Sequence, residues 1–189
     1  MKNKKIQNIA LSAMFLSLCL VLPFLTGQIK EIGNMLLPMH FPVMLCGLVC
    51  GPQYGLLVGL IAPIMRSMLF SMPMLYPTAI AMAFELGTYG FVIGFIFSKS
   101  KWHCIKSLYK SMIIAMISGR LIWGIAQVIL LGIQSKGFTL TAFITASILN
   151  AIPGIILQLV LIPAIMLLLK KTHFRHKKEW VTTLLTLFC

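Results

Sequence analysis

Apolar runs separated by short polar or basic stretches recur along the whole chain. The pattern predicts six helical spans, at about 6–25, 36–50, 53–70, 78–97, 112–132 and 144–169. Most approach the roughly 20 residues a helix needs to cross a hydrocarbon core about 30 Å thick. The polar "TGQIKEIGN", Thr26–Asn34, follows the first span, and "SMPMLYP" turns the third into the fourth. "SKSKWHCIKSLYK" joins the fourth to the fifth, and "QSKGFTLT" leads into the sixth. Residues 170–189 form a basic tail whose closing "WVTTLLTLFC" is too short to cross and suits an interface. The expectation is an all-α integral membrane protein, one membrane domain over 1–189.

Composition strengthens this reading. Hydrophobic residues make up 59% of the 189 and charged ones 10%, with three acids against sixteen Lys and Arg. Mean hydropathy is +0.98. A soluble domain carries about a quarter charged residues, so this chain cannot clothe a water-facing surface.

The formal charge of +13 would suit nucleic acid, but its placement does not. The basic residues cluster between spans: Lys2, Lys4 and Lys5; Lys99, Lys101, Lys106 and Lys110; Lys170, Lys171, Arg175, Lys177 and Lys178. No aromatic residues are interleaved to stack bases, which argues against a nucleic-acid partner. Such clusters mark cytoplasmic flanks and attract anionic lipid. The opposite loops hold only Lys30 and Lys136, so six spans with both termini cytoplasmic fit the asymmetry. Residues 1–26 imitate a secretory signal, yet apolar segments continue to the far end; we read them as a retained first span. The five cysteines lack paired spacing, and Cys46 and Cys50 have no His or carboxylate nearby to complete a metal set. They read as small packing residues, and no metal or cofactor is expected.

"CGLVCGPQYGLLVG", residues 46–59, sets Gly47, Gly51, Gly55 and Gly59 four apart around Pro52. "GPQ" reads as a cytoplasmic turn, because proline lacks a donor and disfavours helix at the residue before it. In lipid, small residues at i and i+4 let helix backbones approach closely, so the glycines read as contact surfaces. Ala13 with Ser17, and Gly90 with Gly94, repeat the pattern. Spacing leaves open whether the contacts are internal or reach another subunit.

Three charged residues fall inside spans: Arg66, Glu85 and Arg120. A charge near the bilayer centre costs about 2.5–3.5 kcal/mol even on lenient insertion scales, so it faces a cavity or a partner. Two readings are open: an internal Arg–Glu clamp that holds spans together, or a ligand site. Arg66 lies about one turn, and Glu85 about two turns, below the outer ends of their spans, depths that fit an outward-facing pocket. Arg120, Trp123 and Gln127 share one face of the fifth span. Asn150 precedes Pro153 on the sixth, where freed carbonyls would line a cavity. Such a lining suits a small polar molecule, planar or anionic. Trp123 alone also fits ordinary packing, and His40, between Pro38 and Pro42, has two readings, a lid contact or, the better one, an interfacial histidine with its hydrogen bonds satisfied. No phosphate loop, HExxH or GxSxG motif appears, so an enzyme is not expected.

The stretch 37–90, with "LPMHFPVMLCGLVCGPQYGLLVGLIAP" and "YPTAIAMAFELGTYG", resembles the substrate-binding subunits (S components) of energy-coupling factor transporters. The first-span "SAMFLSLCLVLP" adds to the likeness. The resemblance implies a six-helix protein of the prokaryotic cell membrane that captures a water-soluble vitamin or precursor from outside. Pantothenate, pyridoxine and hydroxymethylpyrimidine are the substrate classes in view. It implies docking on a transmembrane coupling subunit driven by two ATPase subunits. The family's AxxxA docking motif on the first helix falls on Ala13 and Ser17, the second alanine replaced by serine. The loops Thr26–Asn34 and Ser71–Tyr76 would cover an outward-facing site. Ligand contact by the later helices favours Glu85, Arg120, Trp123, Gln127 and Asn150 over His40, and leaves Arg66 either a ligand contact or Glu85's structural partner. The alternative is a non-transporting structural or assembly subunit in which Arg66, Glu85 and Arg120 form an internal clamp.

Overall fold

The computed structural model describes residues 2–25, 38–100, 105–133 and 152–174. Among them the chain forms six helices: α1 (Lys2–Leu25), α2 (His40–Cys50), α3 (Pro52–Phe70), α4 (Ile80–Lys99), α5 (Ile105–Ile133) and α6 (Ile152–Phe174). Four stretches are long and apolar enough to cross a membrane: Lys4–Phe24, Pro52–Phe70, Leu75–Lys99 and Ile105–Gly132. With Ile152–Leu168 as a further apolar helix, the described chain is the all-α membrane protein that its hydropathy predicts.

The second span is shorter than expected. α2 begins at His40, not near residue 36, and its 11 residues rise only about 16 Å. This start puts Pro42 in the first turn, where a missing N–H costs no hydrogen bond. Nine of its residues are buried, so α2 is an interior element. Its first residue, His40, is therefore a core side chain and not the interfacial one expected. The fifth span is longer than expected, already helical at Ile105. Lys106 and Lys110 are exposed one turn apart, and lysine is a good helix former, so a basic flank extends the helix. Residues 144–151, including Asn150, lie outside the described residues.

The glycine ladder resolves into two functions. Gly51, at φ 102° and ψ 171°, is the joint between α2 and α3, a backbone conformation that a side chain resists; Pro52 then starts α3. Gly47, Gly55 and Gly59 lie against the α4 backbone at Leu86 and Gly90. A Cβ placed on Gly55 would sit 2.6 Å from the Gly90 carbonyl oxygen, and one on Gly94 2.6 Å from that of Gly47. These contacts are internal. They fuse α2, α3 and α4 at backbone distance, as membrane packing without a hydrophobic drive requires.

α4 is the centre of the bundle, packed on α2, α3 and α5. The core around it holds Met44, Leu86, Ile93, Met112 and Ile162, all fully buried. α1 leans on α2 and α3 through Phe15 and Cys19 and turns Ile9, Met14, Leu18 and Val21 outward, as a lipid-facing helix would. Cys19, Cys46 and Cys50 are buried free thiols. α6 makes a lighter contact with α5 and α2 through a face that includes Gly154, Gln158 and Ile162.

Candidate functional site

Glu85 sits on the buried face of α4, 2% exposed. Its Oε1 lies 3.0 Å from Arg120 Nη1 on α5. The Tyr89 hydroxyl, one turn further along α4, donates to the same oxygen at 3.2 Å. His40 Nε2, at the start of α2, stands 3.5 Å from it. Three helices thus aim a guanidinium, a phenol and an imidazole at one carboxylate oxygen.

Local sequence makes this convergence possible. Gly119, next to Arg120, lets α5 close on the Tyr89 ring: a Cβ there would fall 2.9 Å from the ring's Cε1. Tyr89 in turn meets His40 edge-on, with ring centroids 5.2 Å apart and planes at 64°. The aromatic pair holds the imidazole beside the carboxylate.

The cluster is incompletely satisfied. Among the described residues, Nδ1 and Nε2 of His40, Nε and Nη2 of Arg120, and Nε2 of Gln158 are buried without a hydrogen-bond partner. An unmet buried polar group costs about 1–3 kcal/mol, so these five atoms mark the part of the described core whose hydrogen bonding is incomplete. Gln158 belongs to α6, which packs on the helices that carry Arg120 and His40.

The predicted site residues separate into groups. Glu85 and Arg120 meet. Trp123 is partly buried and Gln127 buried, one and two turns beyond Arg120 on α5. Arg66 does not pair with Glu85. It is 4% exposed and donates from Nη1 to the Leu20 carbonyl of α1 at 2.8 Å. The Phe24 and Phe70 rings flank its guanidinium at 5.3 and 5.6 Å, and those rings pack edge-on at 4.8 Å. The carbonyl and two π faces satisfy this arginine where α1 meets α3, which leaves Glu85 to Arg120. An internal clamp of Arg66, Glu85 and Arg120 together is therefore not formed.

Ala13 and Ser17 are exposed on α1. The Ser17 hydroxyl donates to the Ala13 carbonyl at 3.0 Å, so the serine turns its polarity back into its own helix and leaves a small, quiet surface. Beyond α3, Ser71 adopts left-handed backbone (φ 56°) and its N–H caps the helix onto the Ser67 carbonyl at 2.9 Å. The chain then passes through a kinked π-helical turn, Leu75–Ala79, in which Tyr76 is extended (φ −121°, ψ 132°). The Tyr76 hydroxyl donates to the Leu130 carbonyl of α5 at 2.6 Å, which ties this loop to the helix that carries Arg120. Thr26–Asn34, the other loop predicted to cover the site, lies outside the described residues.

The structure adds to the residues expected from sequence His40 and Tyr89, which contact Glu85, and the unpaired amide of Gln158. Tyr89 carried a signal, since i and i+4 place it over Glu85 on the same helix face.

A sequence model of the family described as "ECF transporter, substrate-specific component" matches residues 7–166 of the chain. No curated protein and no solved structure matches it.

Proposed function

The chain belongs to the substrate-specific components of ECF transporters, and from that premise we propose that it captures a water-soluble vitamin or precursor outside the cell. Pantothenate, pyridoxine and hydroxymethylpyrimidine are the classes proposed. Delivery then runs through an ATP-driven coupling module made of a transmembrane subunit and two ATPases. The family's members are transport subunits, not enzymes, and bind both a substrate and a coupling module.

The observation that carries the site assignment is the Glu85 cluster with its unpaired donors. A purely structural clamp is complete when its charges and hydrogen bonds are met. Here Arg120 meets Glu85 with one nitrogen and keeps two buried nitrogens unpaired. Desolvated donors are tolerated where a ligand satisfies them. Glu85, Arg120 and His40 are the proposed principal contacts, with Trp123 and Gln127 as further lining. Asn150 keeps its proposed role, and Arg66 is proposed as a helix tie. Ala13 and Ser17 are the proposed docking surface for the coupling subunit.

Purification of the chain alone, with native mass spectrometry of the intact protein, tests the reading. One small molecule bound tightly in a one-to-one complex, without ATPases, is the expected result. Failure to bind any member of a vitamin panel would overturn it.

A further inference from the structure

The Arg120 guanidinium uses its edges unequally. Nη1 is committed to Glu85 at 3.0 Å, whereas Nε and Nη2 are buried and unpartnered. Nε–H and Nη2–H point the same way from one side of the planar group. This is the fork that takes a carboxylate through two parallel hydrogen bonds. His40, 1% exposed, brings a second cation-forming side chain to the same cluster, with Nδ1 unpaired. Gln158, 3% exposed, offers a further unpaired N–H₂. The unmatched atoms are thus dominated by donors, and their complement is an acceptor group with no hydrogens to offer.

We propose that the substrate presents a carboxylate to the Nε–Nη2 edge of Arg120. The inference rests on the cluster being the substrate site. Charge counting sets a monoanion ahead of a dianion. Arg120 against Glu85 is neutral, so a bound carboxylate adds a single negative charge beside the buried imidazole of His40. A phosphate dianion would leave excess negative charge inside a membrane protein, and the low-dielectric surroundings make that costly. A neutral hydroxymethyl group would leave the fork half used. The titratable and charged groups around His40 are Glu85 and Tyr89 from α4 and Arg120 from α5; Cys19 on α1 spends its thiol on the Met39 carbonyl at 3.8 Å. Glu85 is thus the one acid that faces the imidazole among the described residues.

The experiment is isothermal titration of the purified full-length chain with matched pairs: pantothenate and pantothenol, nicotinate and nicotinamide, biotin and biotinol. Pyridoxine, hydroxymethylpyrimidine and pyridoxal phosphate complete the panel. The carboxylate member of one pair is expected to bind about 10- to 100-fold tighter than its neutral counterpart, the range for a charge-assisted hydrogen-bonded contact. Arg120→Lys should remove the preference within each pair. Equal affinity within pairs, or tightest binding of a neutral compound or the phosphate, overturns the carboxylate assignment and leaves vitamin capture standing. Binding of nothing in the panel overturns both. The wild-type protein alone decides between carboxylate and neutral ligand, so the test holds even where Arg120→Lys does not fold.

Discussion

His40 on α2 stands 3.5 Å from Glu85 on α4, Nε2 to Oε1, with both side chains almost wholly buried. The first turn of the shortest helix therefore reaches the same carboxylate as Arg120 from α5. Glu85→Gln and Arg120→Ala are each expected to abolish ligand binding while the protein still inserts. Breaking one partner of a buried ion pair costs about 3–5 kcal/mol, so the thermal midpoint should fall as well. Titration calorimetry alongside membrane fractionation checks this, and normal binding by both variants would remove the cluster from the site.

Arg66 makes the opposite prediction. Its guanidinium is spent on the Leu20 carbonyl and two phenylalanine faces between α1 and α3. Arg66→Gln should lower stability by about 1–3 kcal/mol, the worth of a charged hydrogen bond with some cation–π contact. Ligand affinity should stay within about twofold, well under the tenfold step of about 1.4 kcal/mol. A larger loss of affinity at unchanged thermal stability would return Arg66 to the binding surface.

On the outer face of α1, Ala13→Leu and Ser17→Leu should leave ligand affinity unchanged and stop uptake in cells that supply the coupling module. Bulk on a small-residue surface blocks close helix approach. Weakened ligand binding by the purified variants would show that this face serves the chain's own packing.

Gly90 and Gly132 separate two costs of replacing a glycine. A Cβ on Gly90 would run into the Gly55 backbone, whereas one on Gly132 meets nothing within 4 Å. Gly90→Val should prevent accumulation of folded protein. Gly132→Ala should be neutral or stabilise by up to about 1 kcal/mol through helix propensity. Fluorescence-detected size-exclusion chromatography with thermal challenge distinguishes them, and a well-behaved Gly90→Val protein would contradict the backbone contact.

Much of the architecture was legible because hydrocarbon imposes a simple rule: long apolar stretches become helices, and charges inside them need shelter. That rule located Glu85 and Arg120. It could not choose between Arg66 and Arg120 as partner, since periodicity gives a residue's face on its own helix and not the neighbour that face meets. His40 was misjudged for a related reason. Between two prolines near a span's start it resembles a boundary residue, yet α2 begins at His40 itself and α1, α3 and α4 pack around that helix. The small-residue ladder announced close contact but not its target, which depended on Gly90 and Gly94 of α4, far along the chain from Gly47.

The Tyr76 hydrogen bond to Leu130 has a mechanical consequence. Leu130 lies ten residues, or about 15 Å, beyond Arg120 on the same helix. The proposed doorway and the proposed grip thus hang from one post, the helix that carries both Leu130 and Arg120. A spectroscopic label near Tyr76, with substrate added, is the measurement that follows this link.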